Sequence, residues 1–92
     1  MRNDAARAPA RIAAEAAAGR AGDAAGASED LERAAKTVKS AGEIPALLLA
    51  AGRWAEAAGD TERARRLWRS VVDDHASTPY ALDARRRLAE GG

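Results

Sequence analysis

The chain has 92 residues, a formal net charge of +1 and no cysteine. A chain of this length forms one small domain, the lack of cysteine excludes a disulfide framework and thiol chemistry, and a charge near zero is unlike the basic balance of nucleic-acid-binding domains. Alanine accounts for 27 of the residues and buries little apolar area. The core therefore has to be built from few large side chains, most of which follow residue 43.

No segment of the sequence has the pattern of a targeting signal or a membrane span. The N-terminal part, residues 1–19, lacks the continuous apolar core of a secretory signal, and Asp4 and Glu15 are unlike an acid-poor transit peptide. The longest apolar run, residues 44–51, is far shorter than the roughly 20 residues needed to cross a bilayer. We therefore expect no membrane insertion and a soluble chain, cytoplasmic by default, or periplasmic if a signal has been removed.

The first half of the chain predicts two short helices after a flexible N-terminus of residues 1–7. Residues 9–19 are helical by alanine propensity, with Ile12 as the one large apolar side chain. Residues 28–40 place an apolar stripe on one face behind Ser28, which we expect to cap the helix. The stripe consists of Leu31, Ala34, Ala35 and Val38.

Two stronger helices follow in the second half. Pro45 opens the third helix, and its Gly52, which costs roughly 1 kcal/mol relative to alanine, indicates that another helix passes close by. Gly59 ends this helix, and Asp60 or Thr61 caps the fourth one. The fourth helix has the clearest amphipathic spacing in the chain. Its stripe consists of Ala64, Leu67, Trp68, Val71 and Val72.

A Ser-Thr-Pro turn begins the last predicted helix, which runs to about Leu88. Thr78 or the serine before it offers a cap, and Pro79 suits the first helical position. We expect residues 79–90 to form a C-terminal capping helix whose charged residues face water. The side chains predicted to face inward are Tyr80, Leu82 and Leu88, and those predicted to face water are Arg85, Arg86, Arg87 and Glu90.

The two halves of the chain share a pattern. Residues 9–23 and residues 45–60 both begin with Pro-Ala and end with Gly-Asp. A further proline, Pro79, opens the helix after the second pair, and the interval from Pro45 to Pro79 indicates a repeat of two helices. We call this interval the repeat period. In the helix after each Gly-Asp turn, a small residue precedes a large one by four positions: Ala27 and Leu31, then Ala64 and Trp68.

These features resemble the tetratricopeptide repeat family, whose period of about 34 residues equals the interval from Pro45 to Pro79. That family also has a small residue at the eighth position, a Gly-Asp turn, and an alanine followed four positions later by a large residue. The matching residues here are Gly52, Gly59, Asp60, Ala64 and Trp68. The tail, RARRLWRSVVDDHASTPYALDARRRL, is similar to bacterial repeats found in periplasmic Tol-Pal coordinators and outer-membrane assembly lipoproteins. By this resemblance, residues 8–44 are a degenerate first repeat and residues 45–78 a second.

The resemblance implies an all-α fold over residues 1–92, with about five helices in antiparallel hairpins stacked as a short right-handed solenoid. It also implies a groove that binds a peptide or a partner helix. The groove positions are Leu49, Arg53 and Glu56 on one wall and Asp83 and Arg87 on the next. One hypothesis is that Arg53 and Arg87 donate to a peptide carboxylate. The alternative is that these charges serve solubility and pair within the molecule.

Other functions have weaker signals. The arginine clusters at 63–69 and 85–87 could bind nucleic acid, but acidic residues are interleaved with them. Residues 73–75, Asp-Asp-His, point about 100° apart along a helix, so we expect no metal site. One histidine, without a nucleophile elbow or a phosphate-binding loop, predicts no enzyme and no cofactor. A third alternative is a structural segment that caps a longer superhelix and binds nothing itself.

Trp54 is open to two interpretations. It lies two residues after Gly52, and it either packs between the repeats or lies partly exposed as an interface anchor. In the second case it would give a surface for pairing with a second copy of the chain, that is, a homo-oligomer.

Overall fold

The computed structural model describes residues 22–91. These residues form four α-helices, contain no strand, and are 83% helical. The helices are α1 (Ala24–Thr37), α2 (Ile44–Ala57), α3 (Thr61–Asp74) and α4 (Pro79–Gly91), with a short 3-10 turn, Ala41–Glu43, before α2. The prediction of an all-α fold is confirmed for these residues. The predicted helix at residues 9–19 and the predicted flexible residues 1–7 lie outside the described residues.

Helix α1 begins earlier than the sequence pattern predicts, at Ala24 instead of after Ser28. The Asp23 side chain caps it and accepts a hydrogen bond from the backbone N–H of Gly26 at 2.8 Å. The prediction that Ser28 is the cap was therefore wrong, because Ser28 lies inside the helix and is fully buried. The helix ends at Thr37, and Val38 is already extended.

The Gly-Asp turn between α2 and α3 has the predicted role. Gly59 adopts a φ of 85°, in the left-handed region that glycine tolerates best. The Asp60 carboxylate then accepts from the backbone N–H of Arg63 at 3.1 Å and caps α3. Pro45 lies in the first turn of α2, also as predicted.

Helix α4 begins at Pro79, but its inward face differs from the predicted one. Ala81 and Ala84 are fully buried and Leu88 is partly buried, and these three residues follow the i, i+3, i+7 spacing of one helix face. Leu82 lies on the opposite side and is 67% exposed, and Tyr80 is 38% exposed. The prediction that these two side chains pack inward was wrong because the alanines, which permit a close approach, define the contact with α3.

Consecutive helices pack against each other, and α4 also contacts α2. The short connections make neighbouring helices antiparallel. One apolar cluster joins α1, α2 and the middle of α3 and consists of Leu31, Ala35, Leu47, Ala50, Ala51 and Leu67. A second cluster joins α2, α3 and α4 and consists of Leu49, Ala55, Ala64, Trp68, Val71, Ala81 and Ala84. Helix α2 thus lies between the two clusters and contributes to both.

Trp68 is the largest fully buried side chain among the described residues. Its indole ring lies against Gly52 of α2, and its Nε1–H donates to the backbone carbonyl oxygen of Leu49 at 3.3 Å. A Cβ at Gly52 would overlap the ring, with Cδ1 only 2.7 Å away. The close helix contact predicted from Gly52 is therefore present, and an indole rather than a backbone makes it.

None of the helices formed by residues 22–91 is both long and apolar enough to cross a bilayer.

Gly52→Ala tests the contact between α2 and Trp68. Alanine improves helix propensity by about 1 kcal/mol, but forcing a methyl group into a packed core typically costs about 1–3 kcal/mol and sometimes more. Because the added Cβ would overlap a buried ring, we expect a net loss of about 1–2 kcal/mol in the free energy of unfolding, measured by urea denaturation.

Gly42→Ala is the matched control, since a Cβ at Gly42 would meet only the Ser40 hydroxyl oxygen, at 4.0 Å. It should leave stability unchanged or slightly raised. A Gly52→Ala protein at least as stable as the original chain would contradict the described packing.

Candidate functional site

Three of the predicted groove residues lie on α2 in different environments. Arg53 and Glu56 are exposed. Leu49 is only 8% exposed and packs in the cluster around Trp68. The backbone carbonyl of Leu49 also accepts the indole hydrogen bond. Leu49 therefore supports the surface from beneath, and its side chain offers little area to a ligand.

The two predicted groove residues on α4 interact with each other. The Arg87 guanidinium lies over the Trp68 ring, 5.8 Å from its centroid, and Arg87 Nε is 3.3 Å from Asp83 Oδ1. Arg86 also donates to Asp83 Oδ1. Burial raises the pKa of the Asp83 carboxyl, but the hydrogen bond from Arg86 and the charges of Arg87 and Arg86 outweigh it, so this pKa lies below its ordinary value.

Trp54 is partly buried. Its side chain packs against the cluster that joins α1 and α2, which includes Leu31 and Leu47. This position agrees with packing between helices and leaves part of the ring at the surface.

A partly buried polar network, absent from the sequence predictions, joins α1 to α2 and α3. The Ser28 hydroxyl donates to the backbone carbonyl oxygen of Ala51 at 2.8 Å and accepts from Arg63 Nε at 3.1 Å. Glu32 accepts from Arg63 at 2.5 Å and from Arg66 at 3.1 Å. We call these four side chains, Ser28, Glu32, Arg63 and Arg66, the clasp.

The clasp holds a carboxylate between two cations at a largely buried position. The Glu32 side chain is 16% exposed and that of Arg63 24%, whereas Arg66 is 55% exposed. The hydrogen bond from Arg66, and the charges of Arg66, Arg63 and Lys36, lower the pKa of Glu32 in spite of its partial burial. An open cleft of about 250 Å³ lies beside the clasp and is lined by Glu29, Glu32, Arg33, Lys36 and Arg63.

One signal in the sequence could have revealed the clasp. Arg63 and Arg66 are three positions apart, so they lie on one helix face, and Glu32 precedes Arg66 by one repeat period. The separation of 34 residues between Glu32 and Arg66 equals the interval from Pro45 to Pro79, so a repeat of that period would bring the two residues close together. In the sequence these arginines also belong to the basic cluster at 63–69.

Metal ligation has no structural support in residues 22–91, where no group of His, Asp and Glu side chains could hold an ion. Asp73 and Asp74 are exposed, His75 is partly buried, and the carbonyl oxygen of His75 accepts a hydrogen bond from the Thr78 hydroxyl at 2.7 Å. This bond directs the Thr78 hydroxyl back toward the preceding turn.

Residues 22–91 define a small all-helical unit. No family model, no curated protein and no solved structure matches the chain.

Glu32→Gln tests the clasp, because it removes the charge that both arginines share. We expect the free energy of unfolding at neutral pH to fall by about 1–2 kcal/mol, measured by urea denaturation. Asp30→Asn is the control, since it breaks an exposed pair with Arg33 on the same helix and should cost less than about 0.5 kcal/mol. Equal losses for the two variants would show that the clasp behaves as an ordinary surface pair.

The Glu32 contribution should also depend on pH. Because its pKa is lowered in the folded chain, its stabilisation is present above the pKa of the unfolded chain and is lost as the pH falls through the folded-state value. The stability difference between the original chain and Glu32→Gln should therefore be constant near neutral pH and shrink below about pH 4. A difference that persists unchanged in acid would contradict an electrostatic role.

Proposed function

We propose that the chain is a non-enzymatic protein-interaction module of the tetratricopeptide-repeat type, in which α2 and α4 form one layer that binds a peptide or a partner helix. One observation carries this proposal. Leu47, Ala50 and Trp54 of α2 pack with α1, and the residues one repeat period later in α4 pack with α3. Those later residues are Ala81, Ala84 and Leu88.

The contacts of α4 with α3 thus repeat those of α2 with α1 one repeat period later, and this repetition supports a two-layered stack of helical hairpins. Helices α2 and α4 contact each other directly, and the clasp bridges α1 and α3 on the other side. Each helix of one layer therefore rests on helices of the other layer, as stacked helical hairpins do. The number of repeats and the right-handed solenoid form part of the proposal.

The α2–α4 layer carries the chemistry for binding a carboxylate. Arg53 is exposed on α2, and the Arg87 side chain keeps 26% of its surface exposed. Contact with Trp68 and Asp83 restricts the Arg87 side chain, so little conformational entropy remains to be lost when it binds. In this proposal Arg53 and Arg87 donate hydrogen bonds to an acidic group of the peptide. The negative charge of Glu56 disfavours a second acidic group nearby.

The nucleic-acid alternative is weakened by the ion pairs. Four arginines of the two basic clusters are each held by a carboxylate: Arg63 and Arg66 by Glu32, and Arg86 and Arg87 by Asp83. Binding of a nucleic-acid backbone through both clusters would compete with all of these pairs, whereas the peptide carboxylate proposed above competes, among them, only with the Asp83–Arg87 pair. The purely structural alternative, a cap on a longer superhelix, differs from the proposal in predicting no peptide binding.

Peptide selection tests the proposal. Random peptides displayed on phage are enriched on the immobilised chain, and the winning peptides are measured by fluorescence anisotropy against the original chain and Arg53→Glu. We expect the enriched peptides to be acidic and Arg53→Glu to weaken their binding at least about tenfold, the loss of about one charged hydrogen bond.

Arg69→Glu is the matched control, since it makes the same charge change at an exposed position on α3. It should leave peptide affinity within about twofold. Failure to enrich any peptide, or an equal effect of Arg53→Glu and Arg69→Glu, would contradict the proposed surface.

A further inference from the structure

Helix α4 carries two exposed large apolar side chains that point in different directions. Tyr80 is 38% exposed and Leu82 is 67% exposed. Successive residues of an α-helix are about 100° apart, so these two side chains leave α4 about 200° apart. Tyr80 instead shares its face with Arg87, because the seven residues between their positions complete almost two turns. Asp83 lies between them on the same face.

The face shared by Tyr80 and Arg87 belongs to the proposed binding layer. Arg87 is one repeat period after Arg53, and Tyr80 is one repeat period after Ala46. Because α2 and α4 bury equivalent faces, their exposed faces are equivalent as well. At the end of the layer where both helices begin, α4 therefore presents an aromatic ring at the position where α2 presents a methyl group.

Tyr80 has the properties of an anchor for an apolar side chain. More than half of its surface is already buried by its own protein, and tyrosine has few rotatable bonds, so binding costs it little conformational entropy. Arg87, which is restrained by Trp68 and Asp83, is a second fixed point on the same face. Tyrosine and arginine are both enriched among the residues that dominate the energy of interfaces.

The distance between Tyr80 and Arg87 determines which peptide conformation reaches both. Seven residues of α-helix span about 10.5 Å along the axis. In a polyproline II helix, residues three positions apart point to the same side and lie about 9 Å apart. In a β-strand, residues on the same side are spaced by about 7 Å or about 13 Å. Polyproline II gives the better match, and such segments also pack well on exposed aromatic rings.

A partner helix fits the exposed surface of this layer less well. Helices dock in grooves through an apolar stripe. Beside Tyr80, however, the exposed residues of the layer include Arg53, Glu56 and Glu90, which are charged. An apolar stripe laid across these side chains would remove their hydration without replacing it.

We propose that the α2–α4 layer binds peptides in the polyproline II conformation that carry an apolar residue three positions from an acidic residue. The apolar side chain packs on the Tyr80 ring, and the acidic group accepts hydrogen bonds from Arg87. Asp83 lies between these two anchors and disfavours acidic residues at the intervening positions. This inference rests on the proposed function and specifies the conformation and the spacing of its ligand.

Synthetic peptides test the spacing by fluorescence anisotropy. Capped, fluorescein-labelled peptides contain Leu-Pro-Pro-Glu or its reverse, Glu-Pro-Pro-Leu, between glycines, because two anchors do not fix the direction of the bound chain. The tighter of these two is compared with a form that has one proline fewer and with a form in which alanine replaces leucine. We expect both changes to weaken binding at least about tenfold. Equal affinity for the shortened form, or no binding of either parent peptide, would overturn the inference.

Substitutions in α4 test the aromatic anchor. Tyr80→Ala should weaken the tighter peptide at least about tenfold and remove the advantage of leucine over alanine. Tyr80→Phe should keep the affinity within about twofold, since the ring supplies the contact. Leu82→Ala is the matched control, because it truncates the other exposed large apolar side chain of α4, and it should also stay within about twofold. Circular dichroism verifies folding, and equal effects of Tyr80→Ala and Leu82→Ala would overturn the inference.

Arg53→Glu separates this inference from the proposed function. A phage-selected acidic peptide that loses affinity with Arg53→Glu but not with Tyr80→Ala would overturn the spacing and leave the proposed function standing. Failure of the phage selection, together with no binding of the proline-rich peptides, would overturn both.

Discussion

The indole of Trp68 holds three helices in one arrangement. It belongs to α3, lies against Gly52 of α2, donates to the Leu49 carbonyl, and lies beneath the Arg87 guanidinium of α4. Because protein interiors are close-packed, the ring fits between the helices here only where Gly52 presents no side chain. The glycine in α2, the register of the α2–α3 hairpin and the position of Arg87 on the surface layer therefore all depend on the placement of this one side chain.

Helix α1 is attached by a different balance of forces. Leu31 gives it a large apolar contact with α2, and the clasp adds a buried hydroxyl and a charge shared between two arginines. Such polar contacts require a specific geometry more strictly than apolar contacts do, so they fix the register of α1. The alanine-rich composition explains why this is needed, since small side chains allow helices to slide past each other at little cost in packing.

Much of the helical layout of residues 22–91 could be predicted from the sequence because the signals that set the ends and the buried faces of these helices are local. The stripe around Trp68, the Gly59 turn and the proline at the start of α4 depend on a few neighbouring residues. The wrong predictions concern residues whose burial is determined by contacts between helices. Ser28 has the chemistry of a cap but is buried against Ala51, and Leu82 has the character of a core residue but lies on the side of α4 away from its alanines. The position of Leu49 beneath the candidate surface depends on the same packing. The Glu32 pairs with Arg63 and Arg66 join residues 31 and 34 positions apart, which local patterns do not reveal.

The most direct measurement is hydrogen exchange of the Trp68 indole N–H, followed by NMR in the intact chain at increasing denaturant. Because this group is buried and bonded to Leu49, the account predicts that it exchanges only when the whole structure unfolds, with the same free energy and denaturant dependence as the slowest backbone amides of α2 and α3. Exchange of the indole N–H through a smaller local opening, while those amides stay protected, would contradict the claim that this side chain holds the helices together.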